Sequence, residues 1–578
     1  MSLYEAYYSR PLSAHVMMRP EISGTGGAVS SNNPYATKAG LEILRKGGNA
    51  ADAAVAVSLA LGVVEPCDSG IGGGCFTIFY DGARKKYLSY DARGTAPAAA
   101  SEDMFLGADG QPDPELTEFS GRPVAAPTMY RLYKKLLREH GSMSLEEVSE
   151  PAIRLARDGF HCGFFYSSGS ARAGVPYCAE HFEGFSELYL KDGTCRPLGE
   201  LIKNPALADT MEQAAKKGAD WFYEGPIASE IAAAAQKYGG IITEKDIRNC
   251  RITERTPVSG SYREKYGIVS MAPPSSGGAH MIQMLNILEN FDLAALGRGS
   301  ADSLHIITET MKMMYADRSV AMGDPDFVKI DLDRLTSKAY ARELAGRIRM
   351  DLAQDYRPTP GIEAVPQEGC TTNFTVMDRK GNMLSQTQTI RNNWGCGVVV
   401  PGRGFILNNN LADFSARAGS RTSQGLSYGM ANAVRPGKTP LSSMMPSILT
   451  KGGEPFMTIG SAGGPRIISS ILTTILNVLD YGLGLDAAVR APSVCCLSQS
   501  QGIEMDEGFS PDTIRILESR GHLIHTAPTY GVIKGWVNGI LRRDGLFFPA
   551  SSFRAENGGG GVLLEDDSFC VDGINFET

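Results

Sequence analysis

The sequence is 578 residues long, 43% apolar and 21% charged, a balance that suits a folded protein with a large core and excludes collagen-like or disordered chains. A formal net charge of -8 leaves no basic excess to neutralise phosphates, so nucleic acid is not an expected partner and small molecules or peptides are. Eleven cysteines, odd in number and with no C-x-x-C pair, suggest free thiols in a reducing compartment.

Residues 1–20 are polar and tyrosine-rich, with no apolar core of about 7–15 residues, so they do not read as a signal peptide and a cytoplasmic location is expected. From Asn33 to Val64 the pattern is helical, starting near Pro34, broken at Gly47-Gly48 and resuming in an alanine-rich stretch. That stretch, 50–64, is the most apolar in the chain. It spans about 15 residues and contains Asp52, short of the roughly 20 a membrane helix needs, and so predicts a buried helix and no membrane partner. A glycine-rich turn over 65–74 leads into strands near 75–80 and 87–91 that form a hairpin. Residues 120–350 read as mostly helical, with helices over 126–139, 145–158 and 301–321. From Gly369 the character changes to strands and short turns, and helices return near 466–481 and 511–520. Sheets with helices packed outside them make a layered α/β or α+β domain.

One hairpin carries chemistry. Residues 371–377 and 383–389 alternate as strands, and Arg379-Lys380-Gly381 suits a three-residue connection with glycine in the left-handed conformation. In that register Thr371 lies opposite Thr389, so two hydroxyls face each other across the strands. From the hairpin alone both could be ordinary strand threonines.

The wider sequence supplies more. Gly369-Cys370-Thr371-Thr372-Asn373-Phe374-Thr375-Val376, Gly404-Phe405-Ile406-Leu407-Asn408-Asn409, Asp413-Phe414-Ser415, Pro440-Leu441-Ser442-Ser443-Met444 and Gly460-Ser461-Ala462-Gly463-Gly464 resemble, in order, the small subunit of γ-glutamyltranspeptidases. Gly47-Gly48-Asn49-Ala50-Ala51-Asp52, Val64-Glu65-Pro66, Ser69-Gly70-Ile71-Gly72-Gly73-Gly74 and Asp91-Ala92-Arg93-Gly94-Thr95-Ala96-Pro97 resemble the opening of the large subunit. The resemblance runs over nearly the whole chain. It implies an α+β fold, the four-layer αββα sandwich of N-terminal-nucleophile hydrolases. It also implies a precursor cut between Cys370 and Thr371 into a large-subunit portion, 1–370, and a small-subunit portion, 371–578, which remain partners in one compact unit.

The implied chemistry is physically coherent. The Thr371 hydroxyl can attack the preceding carbonyl, and its branched Cβ limits the orientations it explores. Cleavage frees an α-amine with a reference pKa of about 7.7–8.0, suited to take the hydroxyl proton near neutral pH. One residue then supplies nucleophile and base. By resemblance, Thr389 orients the Thr371 hydroxyl, and the N–H groups of Gly463 and Gly464 form the oxyanion hole. Arg93 is the arginine that grips the donor α-carboxylate, Ser442 and Ser443 complete that carboxylate site, and Asp413 receives the α-ammonium. Residues 415–431 correspond to a lid loop over the pocket. The implied substrates are γ-glutamyl amides such as glutathione, and no cofactor or metal is required.

Two positions depart from the transpeptidase pattern. Arg391 stands where those enzymes usually have asparagine, and Asn410 where glutamine is common. A second cation beside an ammonium costs about 4 kcal/mol at an effective dielectric near 20. Arg391 either pairs with Asp413 and takes the amino-group site, favouring a glutaryl amide or a γ-linked glutamate polymer as donor, or it swings outward. Further on, Ser493-Val494-Cys495-Cys496 replaces an arginine- and histidine-rich stretch, which favours water as acceptor. His522 and His525, spaced i, i+3, could share a helix face, but no third ligand cluster is visible and no metal site is expected. Gly70–Gly74 lacks the lysine of a P-loop, and Ile459 spoils a G-x-S-x-G elbow at Ser461. The rival from another class is a non-catalytic relative that keeps the fold for binding.

Overall fold

The computed structural model describes residues 21–172, 174–356, 371–417, 429–527, 535–552, 558–571 and 574–576. The leader reading of 1–20, Cys370 on the near side of the scissile bond, and most of the expected lid lie outside the described residues.

The alternating segments around Arg379–Gly381 form the strands Thr372–Asp378 and Met383–Thr389. Met383 stands opposite Met377 and Gln388 opposite Thr372, the register the turn implied. Gly381 takes φ +85°, where a Cβ would be strained. Asp378 Oδ1 accepts from the N–H groups of Lys380 and Asn382 at 2.8 and 3.0 Å, and its Oδ2 accepts from Ala50 N–H at 2.9 Å. The turn is thereby tied to the N-terminus of the helix Ala50–Val64, whose residues are all buried.

This hairpin occupies the middle of a nine-stranded sheet. Thr372–Asp378 pairs on its other side with Gly27–Ser31, and Met383–Thr389 pairs with Gly74–Asp81. A six-stranded sheet runs Leu546–Ser551, Trp536–Arg543, Glu454–Ala462, Ser447–Lys451, Tyr266–Ser270, Val258–Tyr262. Ala28, Ile78, Met377, Met383, Ile448 and Ile540 fill the space between the sheets. The helices Pro34–Arg45, Ala50–Val64 and Met129–His140 cover the outer face of the first sheet, and Gly277–Leu288, Ala301–Ala321 and Ile467–Leu479 that of the second. The result is the four-layer αββα sandwich. No helix among the described residues is long and apolar enough to cross a membrane.

Two expectations need correction. The helix placed at 126–139 is Met129–His140, because Pro127 and Thr128 precede its first turn. Within the span read as mostly helical lie the strands Thr253–Arg255, Val258–Tyr262 and Tyr266–Ser270. They are short and largely half-exposed, so they carry little apolar alternation of their own and gain their pairing from the sheets they join.

Candidate active site

A narrow cleft brings together Thr371, Thr389, Arg93, Arg391, Asp413, Ser442, Ser443 and Gly464. Arg93 follows the strand Lys86–Ala92, and the two threonines sit at the open end of the central hairpin. Thr371 and Thr389 are both buried, with their hydroxyl oxygens 3.5 Å apart. That is contact distance, longer than a formed O–H···O bond. Thr389 Oγ1 also accepts from Arg391 N–H at 2.7 Å, which fixes its position across the strand end.

Arg391 turns inward. Its backbone takes φ +79°, uncommon for a non-glycine residue, and three contacts hold the side chain. Nε donates to Asp413 Oδ1 at 2.8 Å, Nη1 to Glu118 Oε2 at 2.9 Å and Nη2 to the Ala412 carbonyl at 3.1 Å. The other Asp413 oxygen accepts from Arg93 Nη2. Two guanidinium groups and two carboxylates therefore alternate through the site, all buried. Burial works to loosen the Arg391 proton, but attraction to Glu118 and Asp413 outweighs it and holds the guanidinium above its ordinary pKa. The outward-swinging alternative for Arg391 is excluded. Asn410 does not face the cleft: its Nδ2 donates to the Arg93 carbonyl at 3.1 Å, supporting that arginine from behind.

The opposite wall is the Ser442-Ser443 segment. Ser442 Oγ accepts from Met444 N–H at 3.1 Å, and Ser443 Oγ accepts from Arg318 Nη2 at 3.0 Å. Gly463 and Gly464, at φ +120° and +56°, turn the chain from Glu454–Ala462 into a short 3₁₀ turn, and neither N–H donates to another described residue. Tyr315 donates to the Pro465 carbonyl at 2.6 Å, and Arg466 forms a two-pronged pair with Glu504, so this turn is braced from both sides.

Glu118, Arg318 and Ser276 escaped the sequence reading. Each is far along the chain from the residues it touches, and each precedes Thr371. The one available signal was the run Pro273-Pro274-Ser275-Ser276-Gly277-Gly278 between a strand and a helix, a concentration of turn residues at an element boundary.

The histidine expectation is also corrected. His525 lies on the strand Ile524–Ala527, whereas His522 is buried against His305, with Nε2 and Nδ1 2.8 Å apart. Glu309 completes a group whose candidate ligand atoms fall within 4.8 Å of one another. Lys312 already pairs with Glu309, and His305 Nε2 bonds the Arg349 carbonyl at 2.8 Å. An ammonium on the only carboxylate opposes a metal cation there, so the group fits a buried polar network better than a metal centre.

The sequence profile described as Gamma-glutamyltranspeptidase matches residues 36–562. The chain belongs to the gamma-glutamyltranspeptidase family. It is 39% identical over 530 residues to the glutathione hydrolase proenzyme of Escherichia coli (strain K12), covering 92% of this chain and 90% of that protein. It is 34% identical over 543 residues to the Acylase ACY 1 proenzyme of Pseudomonas sp. (strain SE83), covering 92% and 93%. Among solved structures it is similar to the cephalosporin acylase from Bacillus halodurans, with TM-score 0.83 and 26% identity over 95% of this chain and 98% of that one. Both sequence relatives are named as proenzymes, and this chain shares the gamma-glutamyltranspeptidase family.

Proposed function

We propose that the protein is an autoprocessing amidohydrolase and acyltransferase that cleaves γ-glutamyl amides such as glutathione through an acyl-enzyme on Thr371. The Thr371 hydroxyl first attacks the carbonyl of residue 370; the peptide C–N bond breaks as the ester forms and frees the threonine amine, and hydrolysis of that ester releases the residue-370 carboxylate and returns the Thr371 hydroxyl. In turnover that amine accepts the hydroxyl proton as Oγ1 attacks the donor amide. The oxyanion forms against the N–H groups of Gly463 and Gly464, and the leaving amine departs with the proton. Water or an amine then takes the acyl group. The observation that carries this reading is the convergence in one cleft of Thr371, its hydroxyl neighbour Thr389, a guanidinium-carboxylate cluster and the 3₁₀ turn at Gly464. Purified protein assayed with γ-glutamyl 4-nitroanilide is expected to release nitroaniline, and Thr371→Ala to release none. Equal release by both proteins would sink the reading.

A second reading concerns the donor and has its own support. Arg93 and Arg391 each bond one Asp413 oxygen, so a donor ammonium would have to share that carboxylate with two guanidinium groups and sit beside both cations. A glutaryl amide, or a γ-linked glutamate polymer with no free amine at that position, keeps the carboxylate for Arg93, Ser442 and Ser443 and avoids that repulsion. Glutaryl 4-nitroanilide is then turned over at least as well as the γ-glutamyl compound. A clear preference for γ-glutamyl would reject this donor choice while leaving the enzyme class intact.

A further inference from the structure

Arg318 lies near the end of the helix Ala301–Ala321 with its side chain 1% exposed, behind the serine wall of the cleft. Nη2 donates to Ser443 Oγ at 3.0 Å, and Nε donates to Ser276 Oγ at 2.8 Å. Ser276 in turn donates through both its N–H and its hydroxyl to the Ser442 carbonyl, each at 2.9 Å. One guanidinium therefore reaches Ser443 directly and the Ser442 backbone through a single relay.

A hydroxyl carries one proton, and its direction follows from what the oxygen accepts. Ser443 Oγ accepts from Arg318, and Ser442 Oγ accepts from Met444 N–H. Neither hydroxyl finds an acceptor among the described residues, although both are buried and line the cleft. Their protons are left for whatever enters. Two preset O–H donors beside Arg93, with a further guanidinium behind them, suit an anion and suit a neutral amide poorly, because an amide NH₂ would face donors with a donor of its own.

We propose that Arg318 is a positioning residue that presets Ser442 and Ser443 as hydrogen-bond donors to a carboxylate on the acyl donor, and so sets the preference for carboxylate over neutral donors. This rests on reading the cleft as the acyl-donor site. Arg318 touches no reacting atom. It belongs to the large-subunit portion and both serines to the small, so the first portion tunes the donor pocket of the second.

The test compares the anilide that the wild type turns over with its counterpart in which the free carboxylate is a carboxamide. For Arg318→Met, KM for the carboxylate donor rises about tenfold while kcat stays within about twofold, and KM for the carboxamide donor is unchanged. Arg318→Lys, whose single nitrogen cannot reach Ser276 and Ser443 as two separate guanidinium nitrogens do, falls between. A merely structural role would lower activity on both donors alike and leave their ratio intact, which overturns the proposal. Should Arg318→Met fail to accumulate, Ser276→Ala decides: it weakens carboxylate selectivity in the same direction by a smaller factor, and unchanged selectivity overturns the proposal. If the wild type turns over neither anilide, the reading of the cleft fails by itself. Arg318 is then judged by calorimetric affinity for glutarate, which must fall in Ser276→Ala relative to wild type.

Discussion

At the scale of single residues, the site is a set of charges and hydroxyls whose partners decide their roles. Thr389 accepts from Arg391 N–H and its hydroxyl stands 3.5 Å from that of Thr371, so the proposed mechanism gives it the task of guiding Thr371 into its attacking orientation. Thr389→Ala is expected to slow anilide turnover by roughly ten- to a hundredfold with little change in KM, read in steady-state kinetics. We propose that donor choice turns on Arg391. Arg391→Asn frees one Asp413 oxygen and removes a cation from the amino-group position, so the ratio of γ-glutamyl to glutaryl turnover should rise by about tenfold or more. An unchanged ratio would mean that Arg391 does not select the donor. The sequence allowed Arg391 two orientations. What decides between them is Glu118, a carboxylate some 270 positions earlier that accepts from Nη1, together with Asp413. No local pattern marks Glu118 or Arg318, because neither lies on an element whose periodicity differs from that of an ordinary helix end.

Elements place these residues, and the central hairpin was legible because three local signals agree: two alternating strands and a turn with glycine where φ is positive. Gly381→Val puts a branched side chain at φ +85° and should cost about 1–2 kcal/mol, measured as a lower urea midpoint. The strands in 253–270 were not legible, since their half-exposed residues show no clean period and their pairing is tertiary. The buried pair His305 and His522 joins the helix Ala301–Ala321 to the loop after Pro511–Ser519. Burial holds both imidazoles below the ordinary range, His522 down to about 3. The folded pKa lies below the unfolded one near 6.5, so the unfolded chain binds more protons in between. Stability from this pair is present above about pH 6.5 and lost as pH falls toward the folded value. The urea midpoint of the wild type is expected to drop between pH 7 and 4.5, with a shallower drop in His522→Leu. Parallel pH profiles would remove the pair from the account.

Across the whole molecule, the portions before and after Thr371 are interleaved strand by strand. Thr372–Asp378 and Met383–Thr389 lie between Gly27–Ser31 and Gly74–Asp81, and Tyr266–Ser270 pairs with Ser447–Lys451. Chain cleavage before Thr371 therefore breaks no sheet. The two fragments are expected to co-elute on gel filtration and to separate only in denaturant, whereas independent elution would contradict this interleaving. The layered fold was readable from the alternation of helical and strand segments and from the family motifs. The order of strands was not, because sheets built from distant segments leave no local trace. Self-cleavage at one bond underlies the whole proposed activity. Intact mass spectrometry of wild type and Thr371→Ala tests it directly: the wild type should yield a fragment beginning at Thr371, and the variant only the 62.0 kDa precursor. A wild type that stays intact after long incubation, or a variant that is cut at the same bond, would contradict it.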